Sequence, residues 1–326
     1  MAKTLRRLAA LLLPLLLGTA PGALAGDLKI AVIKFGTVNW EMDVIQTHGL
    51  AEAKGVALEV LPLANKNATT VALQAGDADM IVSDWIWVSR QRTEGADYSF
   101  VPFSHASGAL MVPPDSPIKE IADLKGRKLG IAGGPLDKSW LLLRGHGLEQ
   151  LGFDLDVSIE KIFAAAPLLN EQILAGRLDG VINFWHFAAR LEAKGYRRLL
   201  EISDIAGSFG LESKVPLIGY VFRDALAQAD KDSLLGFLEA TQEAKKILRG
   251  SDEEWQRLRP LMRAKDDATF LALRDRYRQG IPEGWGGAQQ KDAAKLFAIL
   301  AKYGGEKLVG ASNELAPGTF WPHFTY

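Results

Sequence analysis

Ser83, Asp84 and Trp85 follow one another where the strand-like stretch ADMIVSD, residues 78 to 84, runs out. A carboxylate at that point can accept hydrogen bonds from an amine, an amidine or a ring N–H, and an indole beside it can stack on a flat ligand. The competing reading makes Asp84 the N-cap of a helix beginning at Trp85, with the indole in the core. Gly133-Gly134-Pro135-Leu136-Asp137-Lys138-Ser139 poses a similar choice. Glycines before a helix let backbone N–H groups approach a sulfonate, carboxylate or phosphate at the positive end of the helix dipole. They also simply make a strand-to-helix turn, with Asp137 or Ser139 as the cap.

Other chemistry is poorly represented. The five histidines, His48, His105, His146, His186 and His323, show no metal-ligand spacing; there is no cysteine and no GxSxG elbow. Thiolate nucleophiles, disulfides and cysteine metal sites are thereby removed, and no catalytic residue, metal or cofactor is expected. An enzyme on the same scaffold, of pyrimidine-synthase or lyase type, is the alternative.

The elements that must hold these residues show an internal repeat. QAGDADMIVSDWIWVSRQRTEG, residues 74 to 95, is matched one hundred positions later by LAGRLDGVINFWHFAARLEAKG, residues 174 to 195. Ala75, Gly76, Asp79, Trp85, Arg90 and Gly95 correspond to Ala175, Gly176, Asp179, Trp185, Arg190 and Gly195, and Asp84 corresponds to Phe184. A weaker echo joins Trp40 to Trp140. Strand candidates at 28–35, 56–62, 78–84, 127–134, 156–163 and 179–184 alternate with helical stretches, the pattern of a parallel, doubly wound sheet that starts twice. Between and after the two blocks, GALMV and LIGYVF sit where a chain would cross between lobes. Residues 224 to 303 read as helices from apolar spacings of three and four.

Lys3, Arg6 and Arg7, an apolar run containing Pro14, and Ala23-Leu24-Ala25 have the layout of a cleavable export leader over 1–25. Its removal takes away three basic and no acidic residues, so the net charge moves from −1 to −4. Neither value suggests nucleic acid or a strongly anionic membrane as partner. A 48% hydrophobic chain of this length fits two domains.

The Gly-rich strand end Phe35-Gly36 and the phrases LQAGDADMIVSD, SPIKEIADLKGRKLGIAGG and LAGRLDGVINF resemble the type II periplasmic binding proteins. Within them the likeness is to the nitrate, sulfonate and taurine class of ABC importer receptors, which is related to the thiamine pyrimidine-precursor proteins. The resemblance implies an α/β fold of two doubly wound lobes joined by two hinge strands, with a helical C-terminal extension. Lobe 1 would hold 26–110 and 217–326, and lobe 2 would hold 111–216. It further implies a periplasmic, monomeric receptor that captures a small molecule and hands it to a membrane permease and its ATPase; an accessory or sensory receptor is another reading. Open α/β sheets bind ligands beyond the carboxyl ends of their strands. The positions expected at the ligand are therefore Phe35, Gly36, Asn39, Trp40, Asn67, Ser83, Asp84, Trp85, Gly134, Ser139, Trp140, Asn183, Trp185 and His186, with Ser104 and His105 near the hinge. Two ligand classes stay open: an organosulfonate-like anion at the 134–139 helix start, or a planar, amine-bearing molecule between tryptophans with Asp84 reading an N–H. Asp84 and the tryptophans favour the second.

Overall fold

The computed structural model describes residues 26–326; the leader expected over 1–25 lies outside the described residues. Among the described residues, ten strands form two sheets. They are β1 (Gly26–Ile33), β2 (Val56–Leu63), β3 (Met80–Asp84), β4 (Tyr98–Ser104), β5 (Ala109–Val112), β6 (Lys128–Ala132), β7 (Glu160–Ala164), β8 (Gly180–Asn183), β9 (Arg197–Glu201) and β10 (Ile218–Arg223). The first sheet has the order β2-β1-β3-β10-β4 and the second β7-β6-β8-β5-β9. The fold is thus the expected pair of α/β units, and each sheet carries one antiparallel strand that the sequence pattern does not announce. β10 runs antiparallel to β3 and β4, and β5 antiparallel to β8 and β9. Each of these is the first strand after the chain crosses from the other sheet.

The fourteen α-helices among the described residues, in chain order, are α1 (Val38–Thr47), α2 (Lys66–Ala75), α3 (Trp85–Thr93), α4 (Lys138–Gln150), α5 (Leu155–Ser158), α6 (Ala166–Leu174), α7 (Trp185–Glu192), α8 (Ile202–Ser208), α9 (Asp224–Ala229), α10 (Lys231–Gly250), α11 (Asp252–Met262), α12 (Asp267–Gln279), α13 (Gly287–Gly304) and α14 (Glu306–Val309).

The repeat read from the sequence is a repeat of structure. The Lys29 N–H donates to Asp79 at 2.8 Å, and the Lys128 N–H donates to Asp179 at the same distance. Each aspartate returns its own N–H to the same lysine's carbonyl at 2.9 Å. Lys29 then pairs with Glu59 on β2, and Lys128 with Glu160 on β7. Gly76 and Gly176, and likewise Gly95 and Gly195, sit at positive φ, the backbone region where a Cβ is disfavoured. The constant offset therefore reflects one strand-pinning device used twice.

Burial of apolar area is the main stabilising term, and the core here does not stop at the crossing. One buried cluster runs from Ala31, Ile81 and Trp85 of the first unit to Leu110, Leu129, Ile182 and Trp140 of the second, with Phe297 and Leu300 of α13. C-terminal helices touch the second unit as well. Arg276 of α12 donates to Glu192 of α7 from Nε at 2.9 Å, and Tyr303 and Lys302 of α13 donate to Glu149 of α4. Under α1 lies a buried carboxylate, Glu41, which accepts from Lys245 of α10 at 2.7 Å on each oxygen and from Tyr277 of α12 at 3.0 Å. It also accepts from Tyr220 of β10. Paired and bonded this fully, the charge can be buried; alone it would not be tolerated there.

Candidate functional site

The loops that follow β1 and β3 face those that follow β6 and β8. Asp84 closes β3 and caps α3: its carboxylate accepts the Trp87 N–H at 2.9 Å. The same carboxylate takes Lys66 Nζ of α2 at 2.7 Å and Lys138 Nζ, at the start of α4 in the other unit, at 3.0 Å. The side chain is only 6% exposed. Burial pushes its pKa up, but the charges of Lys138 and Lys66 and the bonds from Lys66 and Trp87 outweigh it and hold the carboxyl well below the usual range. For Lys138, burial works against the charge and Asp84 overcomes it, leaving the ammonium pKa raised. Asp84 is thus cap and cross-cleft ion pair together, and its oxygens are already engaged. This corrects the expectation that it waits for a ligand N–H.

The 134–139 turn is likewise occupied. Gly133 and Gly134 have φ of +83° and +88°, a conformation that only glycine adopts readily. Asp137 caps α4, accepting from Ser139 N–H at 2.9 Å and Trp140 N–H at 3.3 Å. Burial raises the Asp137 pKa against the pull of Lys138 and those bonds. Two N–H groups that were candidates for a ligand oxygen, those of Ser139 and Trp140, are therefore given to a side chain of the chain itself.

The four corresponding tryptophans separate into two pairs. Trp85 and Trp140 are fully buried core residues, contrary to the expectation that they face a ligand. Trp85 packs on Phe297 and Phe320 and donates its indole N–H to the Pro216 carbonyl at 2.9 Å, tying α3 to the second crossing. Trp40 and Trp185 meet edge to face with centroids 5.9 Å apart, one from each unit, and both contact Tyr277. Trp255 backs Trp40 at 5.8 Å.

Several remaining positions serve the framework. Asn39 donates to the Ile33 and Gly36 carbonyls, shaping the turn after β1 that contains Gly36. Asn183 is fully buried, donating to the Ala166 carbonyl and to Asn170 and accepting the Phe184 N–H. Both were expected at the ligand, and both spend their amides on backbone geometry. Asn67 is exposed on the first turn of α2, whose cap is Asn65. Phe35 is 62% exposed, with the Arg263 guanidinium 4.5 Å over its ring. Ser83 is buried and its hydroxyl has no partner. His186 packs on Trp185 and Phe187 with an unpartnered Nδ1. Burial, then the charge of Arg190, pushes its pKa down to about 3.

Space between the units is found at the hinge edge. A cavity of about 400 Å³ is lined by His105 and Ala106 of the first crossing, Trp185, β9 residues Arg198 to Glu201, Ser203 and Asp204 of α8, Lys214 of the second crossing, and Arg276, Gln279 and Gly280 at the end of α12. Arg198 is held by Glu201 at 2.7 Å and Glu192 at 3.2 Å. Burial raises the Glu201 pKa against the opposing charge of Arg198. His105 donates its backbone N–H to Gly280 at 2.7 Å. Its ring pKa is lowered by burial and then by Lys214. Of the residues expected at the ligand, Trp185 lines this cavity, as does His105 from near the hinge. Arg198, Lys214 and Arg276 were missed, and no local pattern marks them.

Comparison with solved structures identifies the same architecture elsewhere. The periplasmic aliphatic sulphonate binding protein SsuA of Escherichia coli matches with a TM-score of 0.73 at 19% identity, over 90% of this chain and 92% of that one. The alkanesulfonate-binding protein SsuA of Xanthomonas axonopodis pv. citri, bound to MOPS, gives 0.67 at 16%, over 91% and 98%. A zinc-bound ligand-binding component of an ABC-type import system from Staphylococcus aureus gives 0.64 at 14%, over 91% and 97%. Partners as different as MOPS and zinc on one scaffold mean that the fold does not choose the ligand. No match is found among curated proteins. The model described as NMT1/THI5 like matches residues 44–254, more than half of the sequence, from within α1 to within α11; the chain belongs to the NMT1/THI5-like family.

Proposed function

We propose that this protein is an exported solute-binding protein. It captures a small organic molecule between two lobes, one built on each sheet, and delivers it to an ABC-type importer as a periplasmic monomer. One observation carries the reading: the cavity at the hinge edge takes its walls from both crossings, from β9 and α7 of one unit and from α12 at the C-terminal end. A site assembled this way is complete only when the units are together, which is the physical requirement for capture by closure.

The cavity supports an organic anion over an amine. Arg198, Lys214 and Arg276 bring three cations to it against two carboxylates, Glu201 and Asp204, and Trp185, Leu199 and Leu200 supply apolar wall for the body of the molecule; both arginines are ion-paired, and Lys214 is, among the described residues, the cation that is not. Asp84, on which a preference for an amine rested, is already paired with two lysines.

A thermal-shift screen of the chain from Gly26 onward tests this, because a ligand that binds the native state raises the melting temperature. Sulfonates and aromatic carboxylates are expected to raise it, amines and pyrimidines are not, and Trp185→Ala should abolish the response. Recovery of the bound compound unchanged separates a receptor from an enzyme. Failure of every compound class to shift the transition, or recovery of a converted product, would refute the receptor reading.

A further inference from the structure

The second crossing, which leads from α8 to β10, is held from two sides. On one side a single oxygen of the buried Asp292 in α13 accepts the backbone N–H groups of Glu212 and Ser213 and the Ser213 hydroxyl, each at 2.8 Å. Its other oxygen pairs with Lys295 at 3.0 Å, and Lys295 also donates to the Gly210 carbonyl at 3.1 Å. On the other side Trp85 of α3 holds the Pro216 carbonyl at 2.9 Å. Between the two holds, neither Lys214 nor Val215 makes a backbone hydrogen bond among the described residues. The polar ties of α13 are one-sided. Among the described residues, those that leave the helix beyond its own cap go to the second crossing, to Gly210 and, through Lys302 and Tyr303, to Glu149 of α4 in the second unit. Toward the first unit α13 offers apolar contact, with Phe297 packed on Trp85 at a centroid distance of 6.3 Å.

We propose that α13, expected with lobe 1, moves with the second unit, and that the second crossing bends at Lys214 and Val215. The proposal goes beyond the receptor reading and rests on it only in taking the two units to part. A backbone N–H bonded to a side chain of another element cannot swing without losing that bond. Glu212 and Ser213 are therefore tied to α13, and Pro216 to α3, which leaves the two residues between them to absorb the rotation. Pro216 fixes its own φ and restricts the residue before it, so most of the change falls on Lys214. The contact of Phe297 with Trp85 has no directional bond to break, and burial of apolar surface is non-directional. It is the contact that gives when the units part, and closure gains from covering it again.

The chain has no cysteine, so spin labels can be placed in pairs at exposed positions: Val71→Cys on α2 of the first unit, Glu171→Cys on α6 of the second and Ala298→Cys on α13. Electron–electron double resonance reads the three distances in the chain from Gly26 onward and in the same chain carrying Lys138→Met. The Val71/Ala298 distance is expected to lengthen or broaden together with Val71/Glu171, while Glu171/Ala298 stays a single narrow distribution. In Asp292→Ala, amide hydrogen exchange at Glu212 and Ser213 should quicken about 10-fold or more, and Asp292→Asn, which keeps an acceptor oxygen, should stay closer to the wild type. The label pairs need no change at Asp292, so they decide the proposal even if Asp292→Ala does not fold. A Glu171/Ala298 distance that varies while Val71/Ala298 stays narrow would place α13 with the first unit and overturn the proposal. Unchanged exchange at Glu212 and Ser213 in a folded Asp292→Ala would overturn it too. If all three distances stay narrow in both chains, the units do not part, and capture by closure falls together with the proposal.

Discussion

Asp84 and His186 sit close to the ends of β3 and β8, and their surroundings drive them in opposite directions. Asp84 keeps its charge because two ammonium groups and a backbone N–H meet it, whereas His186 is held neutral with no carboxylate beside its ring. Its folded pKa of about 3 lies below the value of about 6.5 for a free histidine. The unfolded chain therefore binds the proton more readily, and the stability this histidine permits is fully present above about pH 6.5 and is lost as the pH falls toward 3. Thermal melts of the wild type should show a transition that falls across that window. A His186→Asn variant should show a flatter profile, with part of the acid sensitivity removed. Equal slopes for the two proteins would mean that the ring is not buried as a neutral group.

At the scale of elements, the two halves place equivalent strand ends and helix starts opposite one another, and the departures from equivalence are informative. Phe184 stands where Asp84 does and begins α7 without a side-chain cap; Asp84 caps α3 and binds the start of α4. The two roles can be separated. Asparagine caps about as well as aspartate, and alanine does not. Asp84→Asn should thus lose the ion pairs alone, while Asp84→Ala should lose about 1 kcal/mol more. Denaturant titration of the two variants measures that difference directly, and identical midpoints would show that the cap contributes nothing. β4 and β9, the two strands missed by periodicity, are both sheet edges. β4 is broken by Pro102 and is buried along its length, its outer side covered by residues 319–321, and β9, with sequence RRLLE, has all five residues partly exposed. Edge strands need neither the alternation nor the apolar run that betrays an interior strand.

Across the whole molecule, charge and aromatic contacts join the units at several points: Lys138 with Asp84, Trp40 with Trp185, and Arg276 with Glu192. Lys138 and Asp84 are 22% and 6% exposed, so their pair is shielded from salt better than a surface pair. Lys138→Met should shift the ligand-free protein toward separated lobes. Small-angle scattering should then report a larger radius of gyration for the variant than for the wild type at the same salt concentration. Lys66→Met, which removes a partner from within the same unit, should not enlarge it. Equal radii for Lys138→Met and wild type would show that the remaining contacts hold the units together without this pair.

What the sequence determined by itself was everything that local repetition encodes. Strand and helix periods, the hundred-residue offset and the glycine turns at Gly76, Gly95, Gly176 and Gly195 depend on neighbours a few residues apart, and they specified two α/β units and a helical tail. Side-chain types alone could not say which partner each charged group meets. Asp84 read as a cap or as a ligand contact, and it is Lys66, 18 residues before it, and Lys138, 54 residues after it, that join the cap on its oxygens. Four equivalent tryptophans read alike, yet all four are buried, Trp85 behind α13 and Trp40 against Trp185 and Trp255, and of the four it is Trp185 that lines the cavity. The cavity gathers its lining from residues as far apart as His105 and Arg276. No window of sequence contains both, because the strand crossings and the return of the C-terminal helices alone bring them together.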